Sequence, residues 1–433
     1  MFLERVPLYR VLRPQNQNTR ESIDAFRDAR IRKVVGCAYQ NVPFYRSLFD
    51  RHGILPGDIR GAADLALVPV TTRRDIQEAS FADRLSKEVE ASKLIERKTT
   101  GSTGRCLVVT RTWAEEQILN LFRRRATRAY GLRVTDVIAN PRIRVPTHPR
   151  DNQIPRRIAD ALHVYRKVIV DLRSTPDYVE TIHDLHPAVI LAWPTLLAEM
   201  APRWADLNRA KPGRNELRFI LAGGEVCTPM ARDVIERGFD APVRDMYGAH
   251  EFNSIAWQCP VTGEYHLSDE TIYAEVIRDG RRAEPGETGE IVVTALHSFA
   301  MPFIRYKLGD IVRQGSGGCS CGSPLSTIRE IRGRTADYLT LPNGGKVHPQ
   351  DIARDAYLAA LWIGQLQVVQ EAANRIRLDV VPTRNPTAEE LAAVKPAVAD
   401  LLGPHVSFEV LLVSSIDTAQ DRKFRVYRSN LLT

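Results

Sequence analysis

"LRFILAGGE", residues 217 to 225, is a short apolar run that enters two glycines and a carboxylate. Such a run suits a buried strand, and glycines at its end let backbone come close to a ligand. Four runs of the same kind surround it: "DVIANP" (136–141), "KVIVDL" (167–172), "AVILAWP" (188–194) and "VRDMYGA" (243–249). Helical stretches alternate with them. Buried strands alternating with helices predict an α/β architecture with a largely parallel sheet. Ligands in such sheets bind beyond the strand C-termini, where these runs meet Gly, Pro or polar residues.

The rest of the chain places this sheet in a larger whole. A chain of 433 residues is long enough for two or three lobes. Residues 20–50 read as helix, broken at Pro43, and a further helix starts at Thr71 or Thr72. "ILNLFRRRATRAYGL" (118–132) is a helix ending near Gly131. From about Asp269 the pattern turns β-rich with "TIYAEVI", "GEIVVTAL" and "MPFIRYKLGDIVRQG", which predicts a barrel-like or meander subdomain. Beyond Gly333 it changes again: a helix in 348–363, two strands in 365–381, a helix in 387–402 and a strand in 407–416. The expected organisation is a large N-terminal lobe, 1–332, and a small α+β lobe, 333–433.

Net charge is +8, from 60 basic and 52 acidic residues. The densest basic patch, "FRRRATR" (122–128), reads as a solvated helix face. The chain has no groove-reading module and no basic strand interleaved with aromatics, so nucleic acid is not an expected partner. A mild positive balance suits an anionic substrate such as a nucleotide or a CoA thiol. No apolar run is long enough for a membrane span, and the first residues carry charges with no cleavage site, so a cytoplasmic location is expected. In that setting the six cysteines are not expected to form disulfides.

"RKTTGSTGRCLVV" (97–109) is a Gly/Ser/Thr loop between two apolar runs. Backbone N–H groups and hydroxyls in such a loop can hold phosphate oxygens. It lacks the spacing of a Walker A loop, and alone it reads equally as a polar hairpin turn. Further along stand "AGGE" (222–225), "YGAHE" (247–251), "RYKLGD" (305–310), "RGRTAD" (332–337) and "DRKFRV" (421–426).

In this order and spacing the segments resemble the adenylate-forming superfamily of acyl-CoA synthetases and adenylation domains. The nearer pattern is its phenylacetate–CoA ligase-like branch, carried above all by "GETGEIVVTALHSFAMPFIRYKLGD" (286–310). "YQNVPFYRSLFDRHGI" and "DLALVPVTTRRDI" near the N-terminus are similar to that branch too. The resemblance implies ATP- and magnesium-dependent activation of a carboxylic acid, aromatic by family expectation, as an acyl-AMP. Acyl transfer to CoA or another nucleophile would follow. It implies that Thr99, Thr100, Gly101, Ser102, Thr103 and Gly104 hold the triphosphate. Gly223, Gly224 and Glu225 would border adenine and the acid. Tyr247 would lie against the adenine with Gly248 beside it, and Trp193, Ala222 and Tyr247 would line the acid pocket. Glu251 would bind magnesium, a role suited to a hard oxygen donor. Asp310 would accept from both ribose hydroxyls. Arg334 would contact ribose or phosphate, and Lys423 would bridge the carboxylate and the α-phosphate.

Cys259, His266, Cys319 and Cys321 make a Cys3His set of the kind structural zinc uses, although the spacing is not that of a zinc finger. Four unrelated residues are the alternative, and the resemblance implies zinc. The sequence departs from the branch at three places. Arg105-Cys106 replaces the usual loop ending, His250 stands where a hydroxyl residue is usual, and Ala336 stands where relatives often have a hinge Asp, with the following loop one residue longer in this chain than in relatives. His250 can still donate a hydrogen bond near the α-phosphate. These departures bear mostly on the second half-reaction. They leave open a ligase that joins the acyl group to an amine or hydroxyl, an AMP-transferring enzyme, or a non-catalytic nucleotide-binding relative. A homodimer is the candidate assembly.

Overall fold

The computed structural model describes residues 18–98, 107–142, 166–172, 174–212, 216–334, 339–347, 349–360, 362–416 and 427–429. The chain divides into two compact units, Met1–Ile331 and Arg332–Thr433.

In the first unit, helices α1 (Arg20–Asn41) and α2 (Pro43–Arg51) meet at Val42, with Pro43 opening the second helix. Thr72 caps α3 (Arg73–Glu78). An antiparallel hairpin follows, β1 (Ile95–Lys98) and β2 (Val108–Arg111), paired from Ile95 with Arg111 to Lys98 with Val108. Helix α4 (Trp113–Ala129) starts on a reciprocal cap: Thr112 accepts from Glu115 N, and Glu115 Oε2 accepts from Thr112 N at 2.7 Å. The other Glu115 oxygen accepts from Phe299 N and Ala300 N, so a local helix start also ties down a distant loop.

Next come β3 (Ile138–Arg142), β4 (Lys167–Asp171), α5 (Tyr178–His183), β5 (Val189–Ala192), α6 (Pro194–Ala210), β6 (Phe219–Gly223), α7 (Pro229–Phe239) and β7 (Val243–Tyr247). Strands β4, β3, β5, β6 and β7 pair in parallel in that order. Their apolar residues pack under α6 and α7 around Trp204 and Phe239. This is the strand–helix alternation expected from "LRFILAGGE" and its neighbours.

Antiparallel strands continue the same sheet: β8 (Ala256–Gln258), β9 (Tyr265–Leu267), β10 (Ile272–Arg278), β11 (Arg281–Arg282), β12 (Thr288–Ala295), β13 (Tyr306–Gln314) and β14 (Thr327–Arg334). The result is one 12-stranded sheet ordered β11-β10-β12-β13-β14-β9-β8-β7-β6-β5-β3-β4. In it, β13 and β7 are separated by β14, β9 and β8, about 19 Å in a flat sheet at 4.7–4.9 Å per strand. Yet Tyr247 at the end of β7 donates a 2.5 Å hydrogen bond to Asp310 on β13. The antiparallel part therefore curls back over the end of β7, and its inner face buries Phe252, Phe303 and Tyr306. The β-rich region is thus barrel-like in curvature while being continuous with the parallel sheet.

The second unit carries a small hairpin, β15 (Leu339–Thr340) with β16 (Lys346–Val347), and helix α8 (Pro349–Ala359). Then follow β17 (Ile363–Ala372), β18 (Arg375–Pro382), α9 (Ala388–Ala392), α10 (Val394–Leu402), β19 (Ser407–Leu412) and β20 (Tyr427–Ser429). A 4-stranded sheet ordered β19-β18-β17-β20 packs its apolar face, with Val368, Leu378 and Val380, around the buried Ile352 and Val398 of α8 and α10. No helix among the described residues is long and apolar enough to cross a membrane.

Candidate active site and candidate metal centre

The parallel strands end at the turns that the sequence singled out. At the end of β6, a Cβ on Gly223 would stand 2.8 Å from Met246 O, so glycine is what lets β6 and β7 run this close. Gly224 has φ +86°, a conformation costly for other residues. Glu225 turns back to the start of α6, where its Oε2 accepts from Thr195 N at 3.1 Å and from Thr195 Oγ1 at 2.7 Å. It thereby fixes the strand end beside Trp193, the residue before α6, which packs half-buried against Ala222 and its neighbours.

The turn after β7 is tight. Asn253 N donates to Ala249 O at 2.7 Å and Ile255 N to Tyr247 O at 2.8 Å, closing the "YGAHEF" segment on itself. A Cβ on Gly248 would stand 2.3 Å from Asn253 O. Both ends of this turn are gripped by β13. Tyr247 Oη donates to Asp310 Oδ2 at 2.5 Å, and Tyr306 Oη donates to Glu251 Oε1 at 3.4 Å. Glu251 is buried at 4% exposure, a costly place for a carboxylate without a compensating group. Burial, and then the Glu251 charge, push the Tyr306 hydroxyl far above its ordinary pKa, so it stays a donor at every physiological pH. Tyr306 stacks edge-on with Phe303 at 5.0 Å and lies 6.2 Å from Phe252, so the ring beside Glu251 is held on several sides.

A contact not anticipated from the sequence reaches the residue before Glu251 from the hairpin. Arg111, the last residue of β2, is buried at 3% exposure and donates to the carbonyl of His250. Its other arm meets Glu116 Oε2 of α4 at 3.1 Å, and Glu116 Oε1 accepts from Arg97 of β1 at 3.1 Å. Burial opposes ionisation of Glu116, but Arg111 and Arg97 together hold its pKa below the ordinary value. Arg305, the first residue of "RYKLGD", has a different task. Its guanidinium pairs with buried Glu275 at 3.0 Å and donates to Val68 O at 2.7 Å, clamping the N-terminal segment to the sheet. In the basic patch, Arg125 is buried and paired with Glu270, while Arg124 and Arg128 face solvent. The expected solvated face is therefore only part of that patch.

Tyr247, Gly248, Glu251 and Asp310 are thus brought together around one turn, with His250 exposed on it and Gly223 and Gly224 on the neighbouring strand end. Thr99, Thr100, Gly101, Ser102, Thr103, Gly104, Arg105, Cys106, Ala336 and Lys423 lie outside the described residues. So does the side chain of Arg334, whose backbone ends β14.

Away from this turn, Cys259, His266, Cys319 and Cys321 bring their ligating atoms within 4.8 Å of one another. Cys259 follows β8, His266 is on β9, and the other two lie in the loop between β13 and β14. Tetrahedral zinc, with Zn–S about 2.3 Å and Zn–N about 2.0–2.1 Å, requires edges of about 3.8 Å between sulfurs and about 3.5 Å between sulfur and nitrogen. The Cys319–Cys259 sulfurs are 3.7 Å apart, and Cys321 Sγ is 3.3 Å from His266 Nε2. The donor set fits a closed structural site. Burial lowers His266 to about 4, which keeps the imidazole neutral, as a metal ligand must be.

This fold, a parallel sheet continued by a curled antiparallel layer, matches that of solved adenylate-forming CoA ligases. A solved 2-hydroxyisobutyryl-CoA ligase in the postadenylation state superimposes with a TM-score of 0.76 at 21% identity, covering 96% of this chain and 91% of that one. In sequence, the chain is a homologue of phenylacetate–coenzyme A ligases. It is 26% identical to that of Thermus thermophilus over 79% of this chain and 76% of the relative. It is 24% identical to that of Escherichia coli over 77% of this chain and 76% of the relative. No protein-family model matches.

Proposed function

We propose that this protein activates a carboxylic acid with ATP and passes the acyl group to coenzyme A. In the first half-reaction a carboxylate oxygen attacks the α-phosphorus, a P–O bond forms, and pyrophosphate leaves. In the second, the thiol sulfur attacks the acyl carbonyl, a C–S bond forms, and AMP leaves while the thiol proton goes to solvent. The observation that carries the reading is the double grip of β13 on the 247–251 turn, which sets Tyr247 against Asp310 and Glu251 beneath Tyr306.

Each residue then has a task. Asp310 presents a carboxylate that accepts from ribose hydroxyls, and Tyr247 holds that carboxylate in place. Gly224 leaves open backbone and, with Gly223 and Trp193, borders the acid, for which an aryl group is the expected filling, in keeping with the phenylacetate named in the relatives. Glu251 would hold the magnesium ion, which would supply positive charge against the phosphates. The loop Thr99–Gly104 and Arg105, carried by the β1–β2 hairpin, cradle the triphosphate. His250 donates toward the α-phosphate, Arg334 contacts ribose or phosphate, and Lys423 bridges the carboxylate and the α-phosphate. Zinc held by Cys259, His266, Cys319 and Cys321 would pin the β13–β14 loop to β8 and β9, a structural role.

The test is product analysis by mass spectrometry on purified protein with ATP, magnesium and a panel of aryl and alkyl acids, with and without coenzyme A. The expected result is AMP and pyrophosphate with one class of acid, and an acyl thioester only when coenzyme A is present. Acyl-AMP or an adenylated acceptor without any thioester in the presence of coenzyme A would refute the second half-reaction.

A further inference from the structure

Arg111 ends β2, paired with Ile95 at the end of the hairpin away from the candidate triphosphate loop, and it is buried. One arm donates to Glu116, the other to the carbonyl of His250, and its Nε has no partner among the described residues. A guanidinium is rarely buried without a task that its fixed fork geometry serves. The carbonyl it holds belongs to the peptide that joins His250 to Glu251. Fixing that peptide plane fixes the direction in which Glu251 leaves the backbone. Glu116 meanwhile accepts from Arg97, so a single carboxylate on α4 joins Arg97 of β1 to the β2 arginine that grips the turn bearing Glu251.

We infer that Arg111, oriented by Glu116, is a positioning residue that aims the Glu251 carboxylate at the magnesium–triphosphate of ATP. This rests on the reading of Glu251 as the magnesium ligand. Arg111 does not touch the nucleotide itself; it acts through a backbone carbonyl. Its loss therefore weakens the magnesium-dependent part of ATP binding and leaves the rest.

The experiment measures ATP binding by calorimetry, in EDTA and across a magnesium titration, on the full chain and on Arg111→Met, Arg111→Lys, Glu116→Gln and Glu251→Gln. Thermal melts on each variant identify those that fold. The magnesium concentration for half-maximal binding is expected to rise about tenfold in Arg111→Met, the scale of one lost charge-assisted hydrogen bond. It rises less in Glu116→Gln, returns toward wild type in Arg111→Lys, and ATP affinity in EDTA stays unchanged. If Arg111→Met does not fold, Glu116→Gln carries the same comparison. An unmoved magnesium requirement in the folded variants overturns the inference, as does an equal loss with and without magnesium, which marks a merely structural brace. If Glu251→Gln leaves the magnesium requirement where it is, the reading of Glu251 fails and the inference falls with it. If Glu251→Gln shifts it and the Arg111 and Glu116 variants do not, the inference alone fails.

Discussion

Gly248→Ala is a one-carbon change aimed at the turn that carries Glu251. The added Cβ would stand 2.3 Å from Asn253 O, so the two must part by about 1 Å to reach ordinary contact. The carbonyl cannot retreat freely. Asn253 has φ +67°, its N–H is bonded to Ala249 O at 2.7 Å, and its side chain donates to Asn120 at 3.1 Å. Overpacking of this sort costs about 1–3 kcal/mol, equivalent to a factor of about 5 to 150. A reacting group misplaced by about 1 Å costs on the order of a hundredfold in rate. The turn opens, Glu251 leaves Tyr306, and kcat/KM for ATP falls by about 10- to 100-fold while the protein stays folded. Steady-state kinetics of pyrophosphate release at several magnesium concentrations reads this directly. Gly36→Ala is the control: it lies inside α1, a Cβ there meets nothing within 4 Å, and activity should be unchanged. Wild-type constants for Gly248→Ala, or a crystal structure with alanine accommodated and Glu251 unmoved, would refute the reasoning.

Two further outcomes follow from the rest of the fold. His297 is wholly buried against the rings of Phe26 and Phe122, with Arg30 3.2 Å from its Nδ1 and Glu270 O at its Nε2. Burial, and then the Arg30 charge, lower its pKa to about 3. Below about pH 6.5 only the unfolded chain takes up the proton, so its contribution to stability is whole above that pH and is lost as pH falls toward 3, by up to about 1.4 kcal/mol per pH unit. Denaturant midpoints between pH 7 and 4 should show this slope, and His297→Gln should flatten it. For the metal centre, elemental analysis of purified protein should find zinc, and Cys259→Ser or His266→Ala should lose it and lower the melting midpoint; a metal-free, equally stable wild type would contradict that assignment.

Much of this architecture is legible in local sequence because it depends on local causes. Short apolar runs ending in Gly, Pro or polar residues mark β3 to β7, Pro43 marks the α1–α2 break, and Thr72 marks the start of α3. The Tyr–Gly–x–x–Glu turn is visible because Gly248 and Glu251 are part of a short motif. What escapes is long-range. Nothing in "CLVVTRT" distinguishes a buried Arg111 from a strand-end arginine in solvent, since its partners Glu116 and His250 are chosen by how the hairpin packs. The Thr112–Glu115 cap is local, while the second Glu115 oxygen depends on a loop 184 and 185 residues away that holds Phe299 and Ala300. The basic patch splits because helix periodicity gives a face, while Glu270 decides that Arg125 goes inside. The curl that brings Asp310 to Tyr247 is a property of the whole sheet, which no single strand's pattern records.

The adenylation proposed at the turn between Tyr247 and Glu251 requires a carboxylic acid. The measurement that tests it most directly is ATP–pyrophosphate exchange on the purified protein, with magnesium and a panel of aryl and alkyl acids, for wild type and Asp310→Ala. Exchange that requires one class of acid and is lost in Asp310→Ala, with the melting midpoint retained, is the predicted result. Absence of exchange with every acid, together with no binding of magnesium–ATP, would contradict the account.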